Sequence, residues 1–179
     1  SAFALCPSPR NVPDDILVKV KQNGGVVMVN FYSGFIVPGS ARAVRQISQE
    51  YRRKYADPAE REKAMEKWYR TEGVRLARGT IKDVANHIDH LVQVAGIDHV
   101  GIGSDFDGIE RWPEGLDDVS RYPRLTEELL RRGYSEAAVH KILGGNILRA
   151  FRQAGKIAHQ LQASTPPEVD EFKAEDTKE

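Results

Sequence analysis

Asp105 and Asp107 flank a phenylalanine in the run His99-Val100-Gly101-Ile102-Gly103-Ser104-Asp105-Phe106-Asp107-Gly108. Residues two apart in an extended chain point to one side. Both carboxylates therefore face one cavity if the extended conformation persists that far, and Gly108 lets the chain turn away. Carboxylates at the carboxyl end of a strand suit proton transfer, or a hard cation such as Mg²⁺ that keeps its waters. No phosphate-cradling glycine loop accompanies them, which weighs against the cation. Asp followed by a small or flexible residue also builds turns and helix caps, so that reading stands beside the chemical one. His87 and His90, three apart on a helical segment, could pair as metal ligands in the manner of Glu-x-x-His. They lie within a helix whose apolar stripe faces a sheet, which favours packing. His99, His140 and His159 have no partner pattern, and Arg10, on residue types alone, is a surface arginine in a Pro-rich loop.

The elements that must position these residues alternate between helix and strand. Asn11 and Pro13, with Asp14 and Asp15 at the positive end of the helix dipole, start a helix with Ile16, Leu17 and Val20 on its apolar side; Gly24-Gly25 stops it. Val26 to Tyr32, interrupted only by Asn30, reads as a strand buried on both faces, the pattern of a parallel sheet. Two charged helix-prone segments come after it, Arg42 to Tyr55 and Ala59 to Tyr69, the second started by Asp57-Pro58. Arg42, Arg45, Arg52, Arg53 and Lys54 are interleaved with Glu50, Glu60, Glu62 and Glu66. This favours a solvated helical insertion at 40–78 over an anion-binding patch, with Trp68 and Tyr69 as its anchor on the body of the fold. Thr80 and Asp83 form a variant capping box for a helix carrying Val84, Ile88, Leu91, Val92 and Ala95 on one face. A short buried strand, Val100 to Gly103, comes next. Beyond it lie a helix from about Pro123 to Arg132, and a third from Ser135 interrupted at Gly144-Gly145. Asn146 is placed to cap a final segment, Ile147 to Ala154.

Composition narrows the function classes. The chain has 179 residues, 40% of them hydrophobic, enough for one domain with a core. Lys plus Arg and Asp plus Glu number 26 each, so no global basic field draws in nucleic acid or an anionic membrane. The single Cys6 rules out an intramolecular disulfide framework and leaves the redox compartment, and with it the localisation, undecided. No apolar run approaches a membrane span and no signal-like segment opens the chain, which begins on Ser1 as a processed or truncated product would. Residues 1–157 read as the ordered body, and 158–179, rich in Glu, Lys, Asp, Thr and Pro, as a disordered tail. Helix–strand alternation predicts an α/β fold with a parallel sheet. Only two strands are evident, too few to cover two helical layers, so the sequence looks like a piece of a larger α/β fold.

Several separated motifs, in order, resemble one family. They are Arg10-Asn11-Val12-Pro13-Asp14-Asp15, Gly24-Gly25 with Val26 to Tyr32, Asp89-His90, Gly103-Ser104-Asp105-Phe106-Asp107-Gly108, Pro113-Glu114-Gly115-Leu116-Asp117-Asp118-Val119-Ser120 and Glu128-Leu129-Leu130-Arg131-Arg132-Gly133. Together they resemble the membrane (renal) dipeptidases, zinc-dependent enzymes among the amidohydrolase-like (β/α)₈ barrels. The resemblance implies that the chain is the C-terminal portion of such a barrel, with Val26–Tyr32 as strand seven and Val100–Gly103 as strand eight. It implies hydrolysis of dipeptides over two zinc ions whose ligands lie upstream of this chain, so no metal ligand is assigned here. Arg10 matches the arginine that binds the substrate's C-terminal carboxylate, a task suited to a planar, permanently charged fork. Asp105 matches the aspartate beside the metal-bound water and the substrate amine, placed to carry a proton to the leaving nitrogen. Tyr32 and Phe35 wall the substrate pocket or else pack as aromatics at the barrel rim; Asp107 is read as turn or supporting structure. The implied partners are a dipeptide and the missing N-terminal part of the barrel, with homo-oligomerisation left open. The polar tail lacks the apolar segment that a lipid-anchor signal needs. A non-catalytic binding or scaffold fragment is the competing reading.

Overall fold

The computed structural model describes residues 1–167. Pro13 precedes helix α1 (Asp14–Asn23), whose first turn carries Asp14 and Asp15. Gly24 ends it at φ 76°, a left-handed C-cap that glycine adopts without a Cβ clash. Strand β1 (Val27–Asn30) is shorter than the run Val26–Tyr32, because Ser33–Ile36 turn into a short helix, α2, directly after it. The long helices α3 (Pro38–Lys54) and α4 (Pro58–Thr71) come next; Asp57 caps α4 by accepting the Ala59 N–H at 3.0 Å. Helix α5 (Ile81–Ala95) begins as its sequence predicts, with the Asp83 carboxylate accepting the Thr80 N–H at 2.7 Å. Strand β2 (Val100–Ser104), α6 (Tyr122–Arg131), α7 (Glu136–His140), a kinked turn over Lys141–Gly145, and α8 (Asn146–Ser164) complete the order.

The two strands pair in parallel, Val27 opposite Val100 and Val29 opposite Ile102. Helix α5 packs on this pair and against α1 and α6. Its apolar stripe, Val84, Ile88 and Leu91, is fully buried with Leu17, Val29, Phe31, Val100, Leu125 and Leu129. His87 sits on the same face. Its Nδ1 accepts the Ala2 N–H at 3.0 Å, and its Nε2 lies 3.3 Å from the Ile36 carbonyl, to which the neutral ring donates. Burial lowers its pKa to about 4. The ring therefore stays neutral and joins the first loop, α5 and the segment after β1. His90 faces elsewhere, 2.7 Å from Asp14 Oδ1. The two histidines serve packing and surface contacts, and do not form a ligand pair.

Two sequence expectations are corrected near the C-terminus. Asn146 does not cap α8 with its side chain; it is 2% exposed and donates to the carbonyls of Ile97 at 2.7 Å and Val100 at 2.8 Å. A buried amide facing two carbonyls at the entry to β2 gains more by satisfying them than by capping. Helix α8 also continues ten residues past Ala154, across the 157/158 boundary, to Ser164. Apolar or small residues recur at 147, 151, 154, 158 and 161, and the intervening Gln, Lys, Ala and Leu residues favour helix. The remainder of the expected tail, 168–179, lies outside the described residues.

Candidate active site

At the carboxyl ends of the two strands the register slips: Asn30 pairs with Ser104, so Gly103 has no partner. A bulge of this kind bends the strand and re-aims the residues just beyond it. Ser104 (φ 32°) and Asp105 (φ 77°) both leave the extended region. Asp tolerates left-handed backbone better than most residues, yet the conformation persists only where the surroundings hold it. Asn30 supplies part of that hold. Its Nδ2 donates to Asp105 Oδ2 at 2.8 Å, and its Oδ1 accepts the Tyr32 N–H at 2.7 Å. Gly108 closes the turn by donating its N–H to the Asp105 carbonyl at 3.1 Å. A Cβ on Gly108 would stand 2.5 Å from Asp105 Oδ1, so the carboxylate occupies space that only glycine leaves open.

Because the chain turns at Ser104 and Asp105, the two-residue alternation does not carry through. Asp105 lines a cleft and the exposed Asp107 does not. The sequence-based case for a cation held between these two carboxylates loses its geometry with it.

The cleft has a volume of about 730 Å³, and Arg10, Tyr32, Phe35 and Asp105 all line it. Asn11, the neighbour of Arg10, fixes the loop: its Nδ2 donates to the Cys6 carbonyl at 2.9 Å and to the Phe35 carbonyl at 2.7 Å. The Arg10 guanidinium lies over the Phe35 ring, 5.4 Å from its centre. That stack directs a flexible side chain while leaving its N–H groups free to bind an anion. Phe35 meets Tyr32 edge to face at 4.9 Å. The Tyr32 hydroxyl is 2.5 Å from the Tyr69 hydroxyl, so α4 is fastened to the cleft through that pair. Burial, then the bond to Tyr69, raises the Tyr32 pKa far above the usual phenol range; burial also raises that of Tyr69. Both phenols are neutral and act through hydrogen bonds.

Sequence reasoning misses three sets of residues here. Asn30 is visible as the one polar residue in an apolar strand, which is the usual mark of a side chain with a specific partner. Tyr69 is the anchor its sequence suggests, but it also walls the cleft. Arg42, Arg45 and Arg52 have the sequence pattern of a solvated insertion. Helices α3 and α4 do bury little, Ser40 alone on α3 and none on α4, yet these three arginines line the cleft. Ser33 and Ser40 hold α3 in place by donating to the carbonyls of Arg78 and Ala77 at 2.7 and 2.6 Å.

The donor set does not make a metal cage by itself. The carboxylates lining the cleft are Asp105 and Glu110, with no histidine or cysteine beside them among the described residues. Nor do three or more His, Cys, Asp or Glu side chains gather elsewhere among those residues.

A cleft at the carboxyl ends of parallel strands, lined by a stacked arginine and a clamped aspartate, is an α/β enzyme's arrangement. The family model for membrane dipeptidase, peptidase family M19, matches residues 1–165, and the chain belongs to that family. An uncharacterized dipeptidase of Schizosaccharomyces pombe is 38% identical over 169 residues, which are 93% of this chain and 32% of the relative. Among solved structures, the probable dipeptidase PvdM from Pseudomonas aeruginosa superposes with a TM-score of 0.69 at 28% identity, covering 84% of this chain and 42% of that one. A metallo peptidase from Rhodobacter sphaeroides, liganded with a phosphinate mimic of the dipeptide L-Ala-D-Ala, gives 0.57 at 29% identity, covering 80% and 31%. The chain spans 27–32% of the length of the curated relatives it matches.

Proposed function

We propose that this chain supplies one wall of the substrate cleft of a dipeptide hydrolase, as the C-terminal portion of a (β/α)₈ barrel. In this reading β1 and β2 are strands seven and eight, the barrel body expected over 1–157 runs on to the end of α8 at Ser164 with 40–78 as an insertion, and the rest of the barrel lies outside the chain. Exposed apolar side chains support it: Phe151 and Leu161 on α8 are 77% and 57% exposed, as surfaces awaiting further polypeptide would be. The family expectation of two zinc ions assigns their ligands to that outside polypeptide, and nothing in the described residues of this chain fits a zinc cage.

The observation that carries the reading is that Arg10 and Asp105 line one cleft. Arg10 takes the substrate's C-terminal carboxylate with two parallel N–H donors. Hydrolysis forms a carbon–oxygen bond from water and breaks the peptide carbon–nitrogen bond, with one proton passing from the water to the departing amine. Asp105 accepts that proton and returns it to nitrogen. Asn30, donating to one carboxylate oxygen, leaves the other free for the transfer. The test is Asp105→Asn in the complete enzyme, where kcat for a dipeptide falls by roughly 10²- to 10⁴-fold, the usual worth of a general acid–base group, while bound metal is unchanged. Unchanged kcat would refute the role.

A further inference from the structure

The arginines on α3 extend this reading to the kind of dipeptide bound. Arg42, Arg45 and Arg52, with Gln49, are spaced three, four and three residues apart, which puts them on one helical face, and that face lines the cleft with Arg10. Away from the cleft, five described arginines pair with carboxylates and seven, Arg53 and Arg124 among them, pair with none among the described residues. Arg70 pairs with Glu66, Arg75 with Glu72, Arg78 with Asp117, and Arg131 and Arg132 with Glu128. Among the described residues, none of the four cleft arginines pairs with a carboxylate. Like charges crowded on one helix face are unfavourable until an anion neutralises them. The lining carries four guanidinium groups against two carboxylates, Asp105 and Glu110, and Glu50 of the same helix lies outside it. A neutral dipeptide brings a single carboxylate, and Arg10 takes that. Among the described residues the arginines of α3 are then left without a carboxylate partner.

We propose that the enzyme selects dipeptides carrying an acidic side chain, an aspartyl or glutamyl residue whose second carboxylate is received by Arg42, Arg45 and Arg52 of α3. This rests on the dipeptidase reading above and adds its substrate class. Because the arginines are exposed at the wall, their attraction weakens with added salt.

The test is calorimetric binding to the complete enzyme after metal removal, with L-Ala-D-Ala against L-Ala-D-Glu and the same pair with all-L residues. A ratio of affinities favouring the glutamyl dipeptide by about tenfold or more is expected. That ratio shrinks with added NaCl and approaches one in an R45Q/R52Q double variant. Arg70→Gln, a control on α4 away from the cleft, keeps it. Equal affinities for neutral and acidic dipeptides, no binding of the acidic ones, or a preference that survives R45Q/R52Q would overturn the proposal. Hydrolysis of both L-Ala-D-Ala and L-Ala-D-Glu by the metal-loaded enzyme is scored separately. Its absence alongside a retained acidic preference would overturn the dipeptidase reading and leave the anion site standing.

Discussion

Asn30→Asp in the complete enzyme separates a proton-carrying Asp105 from a merely structural one. The substitution is nearly isosteric, and the oxygen that accepts the Tyr32 N–H at 2.7 Å is retained. What changes is the atom 2.8 Å from Asp105 Oδ2, from an amide donor to a carboxylate oxygen. Two unit charges about 4 Å apart interact by about 4 kcal/mol at an effective dielectric constant of 20. Asp105 is only half-buried, so solvent screens much of this and on the order of 1–2 kcal/mol remains, about one pH unit. Like-charge repulsion sets the sign: the carboxylate pair holds its proton to higher pH. If Asp105 must be ionised to accept the proton, the acidic limb of the kcat profile moves up by about one unit. Rates measured across that limb with saturating dipeptide give the result directly. An unmoved limb with unchanged kcat would refute the inference that the Asn30–Asp105 contact tunes the reaction.

Other consequences lie outside that pair. Gly108→Ala places a methyl group 2.5 Å from Asp105 Oδ1; dipeptidase kcat is expected to fall at least about tenfold, as about 1.4 kcal/mol of misplacement would produce, with little change in Tm, and wild-type kinetics would show that the carboxylate position is not constrained as described. His87 gives a pH dependence of stability. Its pKa is lowered to about 4 by burial, so between the ordinary histidine value, about 6.5, and 4 the unfolded chain binds the extra proton and the folded one resists it. Stability is therefore full above that window and lost progressively as pH falls through it, by up to about 3 kcal/mol. Urea unfolding at about pH 7.5 and about pH 4.5, on either side of most of that window, checks this, and a His87→Gln variant with the same pH dependence as wild type would locate the effect elsewhere.

The local structure was largely legible in the sequence, because caps, glycine stops and apolar periodicity act over a few residues. Asp57-Pro58, the Thr80–Asp83 box, and the α5 stripe folded as their residue types require. Asp105 was legible as the acid at a strand end, but the departure of Asp107 was not, since nothing in Ser104-Asp105 announces a register slip and two consecutive positive φ values. Asn146 had two uses, a cap or a buried bridge, and only the arrival of the Ile97 and Val100 carbonyls decided between them. The hardest part was the arginine face of α3. Alternation of Arg with Glu along a chain looks like a solvated surface. Which side of the helix meets the cleft depends on Ser33 and Ser40 bonding to carbonyls far away in sequence, and no spacing rule reaches that far.

The most direct test of the central claim compares a free dipeptide with its C-terminal amide in the complete enzyme and in an Arg10→Gln variant. If Arg10 holds the substrate carboxylate across the cleft from the reacting bond, the enzyme prefers the free acid by roughly 10- to 100-fold in kcat/KM, the worth of a charge-assisted pair, and the variant loses that preference chiefly through KM. A preference of the same size in both proteins would contradict the account.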